Sequence, residues 1–270
     1  MNFLAEPIPL RGVALPVLPG IRRIVADNPG PMTYRGTNTY LLDWDDGVAV
    51  LDPGPDDAAH VRHILEAAGA PIRAIILTHG HHDHSGAMPT LREATGAKLH
   101  AFPTLSPDIP VNDGDHIGPW RAMHTPGHAP DHLCLAGPDG IVFSGDHVMS
   151  WSSTVVGGAG GDMAAYFRSL ERLLEVESSV YLPGHGPLLR EPGRFAQALL
   201  DHRRAREQEI LGALAGGPAS SAGLVAMLYR GLNPALARPA EANVVAHLTK
   251  LAGEGRVTTT DAGWMLAPPR

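Results

Sequence analysis

Short apolar runs broken by glycine and proline dominate the first 190 residues. Ile21–Ala26, Thr37–Asp43 and Gly47–Asp52 read as strands, and Ile72–Leu77, following Pro71, has the length and β-branched content of a buried strand. Between them, Asp56–Gly69 carries Val61, Ile64, Leu65 and Ala68 at a helical period, with Asp56 or Asp57 placed to cap its start. Ser85–Gly96 reads as a short helix closed by Gly96. Lys98–Phe102, Arg121–His124, His132–Ala136 and Ile141–Phe143 follow as strands, and Pro138-Asp139-Gly140 turns the chain between the last two. Met163–Val176 is predicted as a helix and Val180–Leu182 as a strand. Strands and helices therefore alternate in two rounds, which predicts two sheets packed face to face with helices outside.

After Gly186 the pattern turns helical. Phe195–Ala215, Ser220–Tyr229 and Glu241–Ala252 are the expected helices, and Gly255–Thr260 with Gly263–Leu266 forms a candidate hairpin. Three helices and a hairpin outline a winged helix, so the chain divides into a large domain, 1–190, and a small one, 191–270. The small domain reads equally as a cap that shapes a cleft or as a nucleic-acid module. Arg203, Arg204 and Arg206 form a basic run on the first helix, and such runs are usually solvated faces.

Composition narrows the class. The 270 residues are 44% hydrophobic and 18% charged, enough for a large core, and no apolar run reaches the roughly 18 residues of a membrane span. The N-terminal segment lacks a basic start followed by an apolar stretch, and the single cysteine, Cys134, excludes an internal disulfide. A cytoplasmic protein with no membrane partner is expected. The net charge of −7 is uneven: residues 191–270 hold nine Arg or Lys against seven Asp or Glu, and the rest holds twelve against twenty-one. An acidic large domain argues against tight nonspecific binding of nucleic acid, which depends on neutralising phosphates.

The chemistry concentrates in Thr78-His79-Gly80-His81-His82-Asp83-His84, an H-x-H-x-D-H pattern at a strand-to-helix turn. Imidazole and carboxylate suit zinc and related ions, and the absence of cysteine ligands argues against a closed structural site. One loop cannot complete two metal shells, so further ligands must come from later loops. Short glycine-bearing contexts offer His128 in Thr125-Pro126-Gly127-His128, Asp146 in Ser144-Gly145-Asp146, and His185 in Pro183-Gly184-His185-Gly186.

These four motifs, in this order, resemble the metallo-β-lactamase superfamily. Asn28-Pro29-Gly30-Pro31 and Gly36-Thr37-Asn38-Thr39-Tyr40-Leu41-Leu42 further resemble the lactamase-like protein 2 branch, which also has a helical C-terminal extension. The resemblance implies an α/β fold, the four-layer αβ/βα sandwich, and two Zn2+ ions, with Mn2+ or Fe possible instead. It implies that His79, His81 and His128 hold one metal, that Asp83, His84 and His185 hold the other, and that Asp146 bridges them. Asp83 and Asp146 are thus the candidate catalytic carboxylates, and a shared hydroxide would be the nucleophile. Asp52, in Leu51-Asp52-Pro53-Gly54, would orient a ligand. His132 and Tyr34 are candidate substrate contacts, although His132 is as readily a hydrogen-bonded core residue. An Asp at 146, where true β-lactamases of the superfamily commonly have Cys or Ser, points to a hydrolase of small-molecule ester, thioester or phosphodiester substrates. The branch resemblance implies an alternative, cleavage of single-stranded RNA. A third reading is a nucleic-acid-binding or scaffold protein with a regulatory metal site.

Overall fold

The computed structural model describes residues 2–158 and 160–268. The first sheet runs β1 (Leu15–Leu18), β2 (Ile21–Val25), β3 (Asn38–Trp44), β4 (Gly47–Leu51), β5 (Ile72–Ile76), β6 (Lys98–Ala101) and β7 (Ile109–Pro110) in sequence order. Its first half is antiparallel; from β4 onward the neighbours are parallel. The second sheet holds β8 (His116–Ile117), β9 (Trp120–His124), β10 (Leu133–Ala136), β11 (Ile141–Gly145), β12 (Val180–Pro183) and β13 (Leu189–Arg190), again in sequence order. Only β11 and β12 pair in parallel there, joined through helix α4 (Met163–Leu174).

Period-two alternation sorts each strand between layers. On β3, Tyr40 and Leu42 face the second sheet while Leu41 faces outward, and on β4 Ala49 and Leu51 oppose Val48 and Val50 in the same way. The inward set meets Trp120, Leu133, Leu135, Phe143 and Leu182 to form the inter-sheet core. The outward set packs under α1 (Ala58–Ala68) and α3 (Met88–Thr95) through Val61, Ile64 and Leu91. On the other side Met123, Cys134, Val142 and Tyr181 pack against α4 and the start of α5 (Pro192–Leu214). Each such fully buried large apolar side chain contributes roughly 1.5–3 kcal/mol. The expected four-layer sandwich results.

One predicted helix is divided. Instead of running from Ser85 to Gly96, the chain makes a single turn, α2 (His82–Ser85), and restarts as α3. Pro89 lies in the first turn of α3, where a missing N–H is tolerated, and it cannot sit inside a longer helix. At the break the Ala87 amide donates to Gly54 O at 2.9 Å, tying the turn to the loop after β4. The short turn aims Asp83 and His84 back toward the strand ends.

Beyond the sandwich, α5, α6 (Ser221–Leu228), α7 (Ala237–Gly253) and the hairpin β14 (Val257–Thr260)–β15 (Gly263–Leu266) form the winged helix. Ile210, Leu214, Leu224, Val244, Leu248, Leu251 and Val257 make its core. The first turns of α5 bury Phe195, Ala196, Leu199 and Leu200 in the sandwich, so this one helix belongs to both packing units. The basic run on α5 is not uniformly solvated: Arg203 is only 2% exposed, because the helix face that carries it packs against α4 and α7. Arg204 pairs with Glu171 at 2.8 Å and Arg206 with Glu209 at 2.7 Å. Among the described residues no helix is long and apolar enough to cross a membrane.

Candidate metal centre

All seven expected metal ligands converge at one end of the sandwich. His79, His81, Asp83 and His84 follow β5, while His128, Asp146 and His185 follow β9, β11 and β12. Two backbone bonds lock the sheets together here, Asn38 N to Gly184 O and Leu133 N to Thr78 O, both 2.7 Å. The ligand atoms fall into three overlapping groups, each spanning at most 4.8 Å: His79, His81 and His128; His79, His84 and Asp146; Asp83, His84 and His185.

The hydrogen bonds behind the imidazoles decide which nitrogen each presents. Asp52 accepts from the Thr78 amide and hydroxyl at 2.8 and 2.7 Å and from His84 Nδ1 at 2.9 Å. Because the Thr78 hydroxyl donates to Asp52, it accepts from His79 Nδ1 at 2.9 Å. His128 Nδ1 donates to Val155 O at 2.8 Å and His185 Nδ1 to Gly36 O at 3.2 Å. Four imidazoles therefore turn Nε2 into the centre, whereas His81 turns Nδ1 inward.

These nitrogens crowd one another. His79 Nε2 and His128 Nε2 each lie 3.0 Å from His81 Nδ1, near the edge of roughly 3.3 Å that metal–nitrogen bonds of about 2.0–2.1 Å would give a tetrahedron. His84 Nε2 and His185 Nε2 are 3.2 Å apart. The Asp146 carboxylate faces both sets: Oδ1 is 3.5 Å from His84 Nε2, and Oδ2 is 3.6 Å from His128 Nε2 and 3.5 Å from His185 Nε2. Buried Asp146 Oδ1 has no hydrogen-bond donor among the described residues. Converging imidazole nitrogens and a carboxylate oxygen without a donor fit bound divalent metal.

Electrostatics agree. Burial lowers the pKa of His79 well below the ordinary value, with the neighbouring His84 charge adding to this, which keeps its lone pair free. Burial also opposes charge on His84, but Asp146 and Asp52 raise it well above normal, and Asp146 and Asp83 raise His185 to about 9 against the same opposition. Burial alone would raise Asp83, yet its bond to His185 and the charge of His84 hold it at about 2. The carboxylates thus demand positive charge, and metal competes with protons to supply it.

The remaining sequence candidates have distinct places. His132 is fully buried, with Nδ1 donating to Thr125 Oγ1 at 2.9 Å and Nε2 accepting the Asp146 amide at 3.1 Å, so both ring nitrogens are engaged and one of them holds the Asp146 backbone. Tyr34 stacks on Trp151 with centroids 4.9 Å apart, and Trp151 in turn adjoins Gly186, beside His185. Several contributors carry no metal-ligand signature. Asp131 accepts the Gly80 amide at 2.9 Å and so pins the H-x-H turn. Asn38 donates to Pro183 O at 2.9 Å and Gly186 O at 2.8 Å, bracketing His185. The G-T-N-T-Y segment, which could have flagged Asn38, is the strand start that holds the His185 loop.

Residues 32–116 and 111–185 match the metallo-beta-lactamase superfamily model, and residues 220–264 match the beta-lactamase associated winged helix domain. The chain belongs to this superfamily and is a metal-dependent hydrolase. It is 32% identical over 268 residues to the Beta-lactamase-like protein 2 homolog of Drosophila melanogaster, covering 87% of this chain and 88% of that protein. It is 29% identical to an atrochrysone carboxyl ACP thioesterase of Passalora fulva, covering 88% and 77%. The fold matches a beta-lactamase domain protein from Burkholderia ambifaria at a TM-score of 0.84, with 24% identity over 98% of this chain and 96% of that one.

Proposed function

We propose that the protein is a dinuclear zinc hydrolase acting on a thioester or ester carbonyl. The observation that carries this reading is the Asp146 carboxylate, whose oxygens lie 3.5–3.6 Å from imidazole nitrogens of both ligand sets. His79, His81 and His128 would hold one ion, Asp83, His84 and His185 the other, and Asp146 would lie between them. A donor set of nitrogen and carboxylate oxygen without thiolate suits zinc, with manganese or iron as competitors. When bound, the two ions would polarise the scissile carbonyl and supply an activated water at neutral pH.

The chain's own residues prepare for that chemistry. Asp52 fixes the tautomers of His79, through Thr78, and of His84 directly. His132 holds the Asp146 backbone. His81 is exposed and Asp83 partly so, which leaves the centre open on one side to substrate, and the Tyr34–Trp151 stack would form a rim near His185. Carbonyl chemistry is favoured over RNA cleavage by the state of the α5 arginines: Arg203 is buried, and Arg204 and Arg206 are ion-paired, so this run offers no free cationic track for phosphates. The thioesterase among the relatives supports the same choice.

The test is zinc stoichiometry on purified protein beside a panel of a thioester, a lactone, a phosphodiester and single-stranded RNA. Two equivalents with turnover of the thioester or lactone are expected. Cleavage of RNA or the phosphodiester alone would overturn the substrate assignment, and fewer than two equivalents would overturn the dinuclear one. Asp146→Ala is expected to lose one equivalent and nearly all turnover.

A further inference from the structure

The loop between β11 and α4 carries Thr154, Val155 and Val156 past the metal centre, and it is held from outside the sandwich. Buried Arg203, on α5, donates through Nη2 to Thr154 O and through Nη1 to Asn243 Oδ1 at 3.2 Å. The same Asn243 Oδ1, on α7, accepts the Val156 amide at 2.9 Å. Between these two anchors the Val155 carbonyl receives His128 Nδ1, and the Thr154 hydroxyl donates to Asp146 O at 2.7 Å. The Arg203 guanidinium also lies 5.4 Å from the centre of the Tyr166 ring, and the Tyr166 hydroxyl donates to His147 O at 2.8 Å.

Arg203 forms no ion pair with a carboxylate among the described residues, and its Nε has no acceptor there. A buried cation without a counter-charge is expensive, and an apolar residue would pack the helix junction at less cost. What an apolar residue could not do is hold the Thr154 carbonyl and, with it, the Asn243 side chain that accepts the Val156 amide in the loop that orients His128. We propose that Arg203 and Asn243 are positioning residues for the metal centre: the winged-helix part clamps the Val155 carbonyl so that it holds the His128 ring with Nε2 directed at the ion. The ligand at issue is the divalent metal itself, and the proposal rests on the dinuclear reading above.

The experiment titrates metal-free, full-length protein with Zn2+ against a chromophoric chelator and measures kcat and KM on the reloaded enzyme. Asn243→Leu removes the shared acceptor at similar volume, and Asn243→Asp keeps it. In Asn243→Leu, one of the two equivalents is expected to weaken about ten- to a hundredfold, the range for loss of a group that orients a ligand. kcat should fall with KM unchanged, and Asn243→Asp should recover most of the affinity. Wild-type affinity at both sites, whatever the melting temperature, would overturn the proposal by reducing the pair to packing. Equal weakening at both sites would also overturn it, because the effect would not run through His128. If Asn243→Leu does not fold, Arg203→Lys is judged by the same site-selective criterion. A wild-type protein that binds fewer than two equivalents would instead overturn the dinuclear reading, and this proposal with it.

Discussion

Replacing Asp52 by Asn changes one atom and should disable both metal shells. Asp52 is 2% exposed and accepts three hydrogen bonds: the Thr78 amide to Oδ1, and the Thr78 hydroxyl and His84 Nδ1 both to Oδ2. If Asn keeps its oxygen toward the Thr78 amide, its NH2 meets two donors. Leaving both unsatisfied would cost roughly 2–6 kcal/mol at about 1–3 kcal/mol each. The structure offers a way out of that cost. His84 can shift its proton so that Nδ1 accepts from the new amide, and the Thr78 hydroxyl can turn to donate to His79 Nδ1, which then moves its proton as well. Both relaxations restore hydrogen bonding, and both place an N–H where Nε2 formerly offered a lone pair to the centre. Stability is therefore largely kept, with a residual of about 1 kcal/mol lowering the melting temperature of the metal-free protein by roughly 2–4 °C. Zinc affinity falls about ten- to a hundredfold at each site, or roughly 1.4–2.8 kcal/mol per ion, because one ligand in each shell has its proton on the wrong side. Chelator-competition titration and thermal melts read the two quantities separately. Wild-type zinc affinity at either site in Asp52→Asn would refute this account of tautomer control.

Two other perturbations follow from the geometry. A Cβ at Gly184 would lie 2.5 Å from Asp146 Oδ1 and 2.6 Å from His84 Cε1, so Gly184→Ala should lose bound metal and turnover while keeping its circular dichroism; normal metal content would show that the P-G-H-G glycine is dispensable. Burial lowers the His60 pKa to about 4, the Asp57 charge opposing only part of the effect, while the unfolded chain titrates near 6.5. The folded state therefore binds fewer protons below pH 6.5, and stability present above that pH is lost as pH falls toward 4, by about 3 kcal/mol. Denaturant unfolding of wild type and His60→Gln at pH 7 and pH 4 isolates this contribution, since the other titrating groups are common to both; an identical pH dependence would refute it.

Some of this was written in the chain locally. The H-x-H-x-D-H run, T-P-G-H, S-G-D and P-G-H-G are short because each candidate ligand needs only a strand end and a tight turn, so the seven candidate ligands could be read without any knowledge of contacts. The layers were legible as well, since alternation along β3 and β4 commits Tyr40 and Leu42 to one face and Leu41 to the other. The division between α2 and α3 was harder to read, because residues 85–96 have helical composition and only Pro89, in its folded setting, forces the restart.

What the tertiary structure alone decided are the partners that orient the ligands. Asp131 reaches Gly80 across 51 positions, Arg203 reaches Thr154 across 49, and Asn243 reaches Val156 across 87. No periodicity links such positions, and a single Asp, Arg or Asn has no spacing to betray it. Arg203 shows the limit most clearly. On a long helix with Arg204 and Arg206 it has the pattern of a solvated basic face, and only the packing of α5 against α4 and α7 turns it inward to hold the loop behind His128. The sequence by itself determined which atoms can bind metal, because that is a property of side-chain chemistry. Which nitrogen each imidazole offers, and which residues hold it there, depended on hydrogen bonds that exist only once the two sheets and the C-terminal helices have come together.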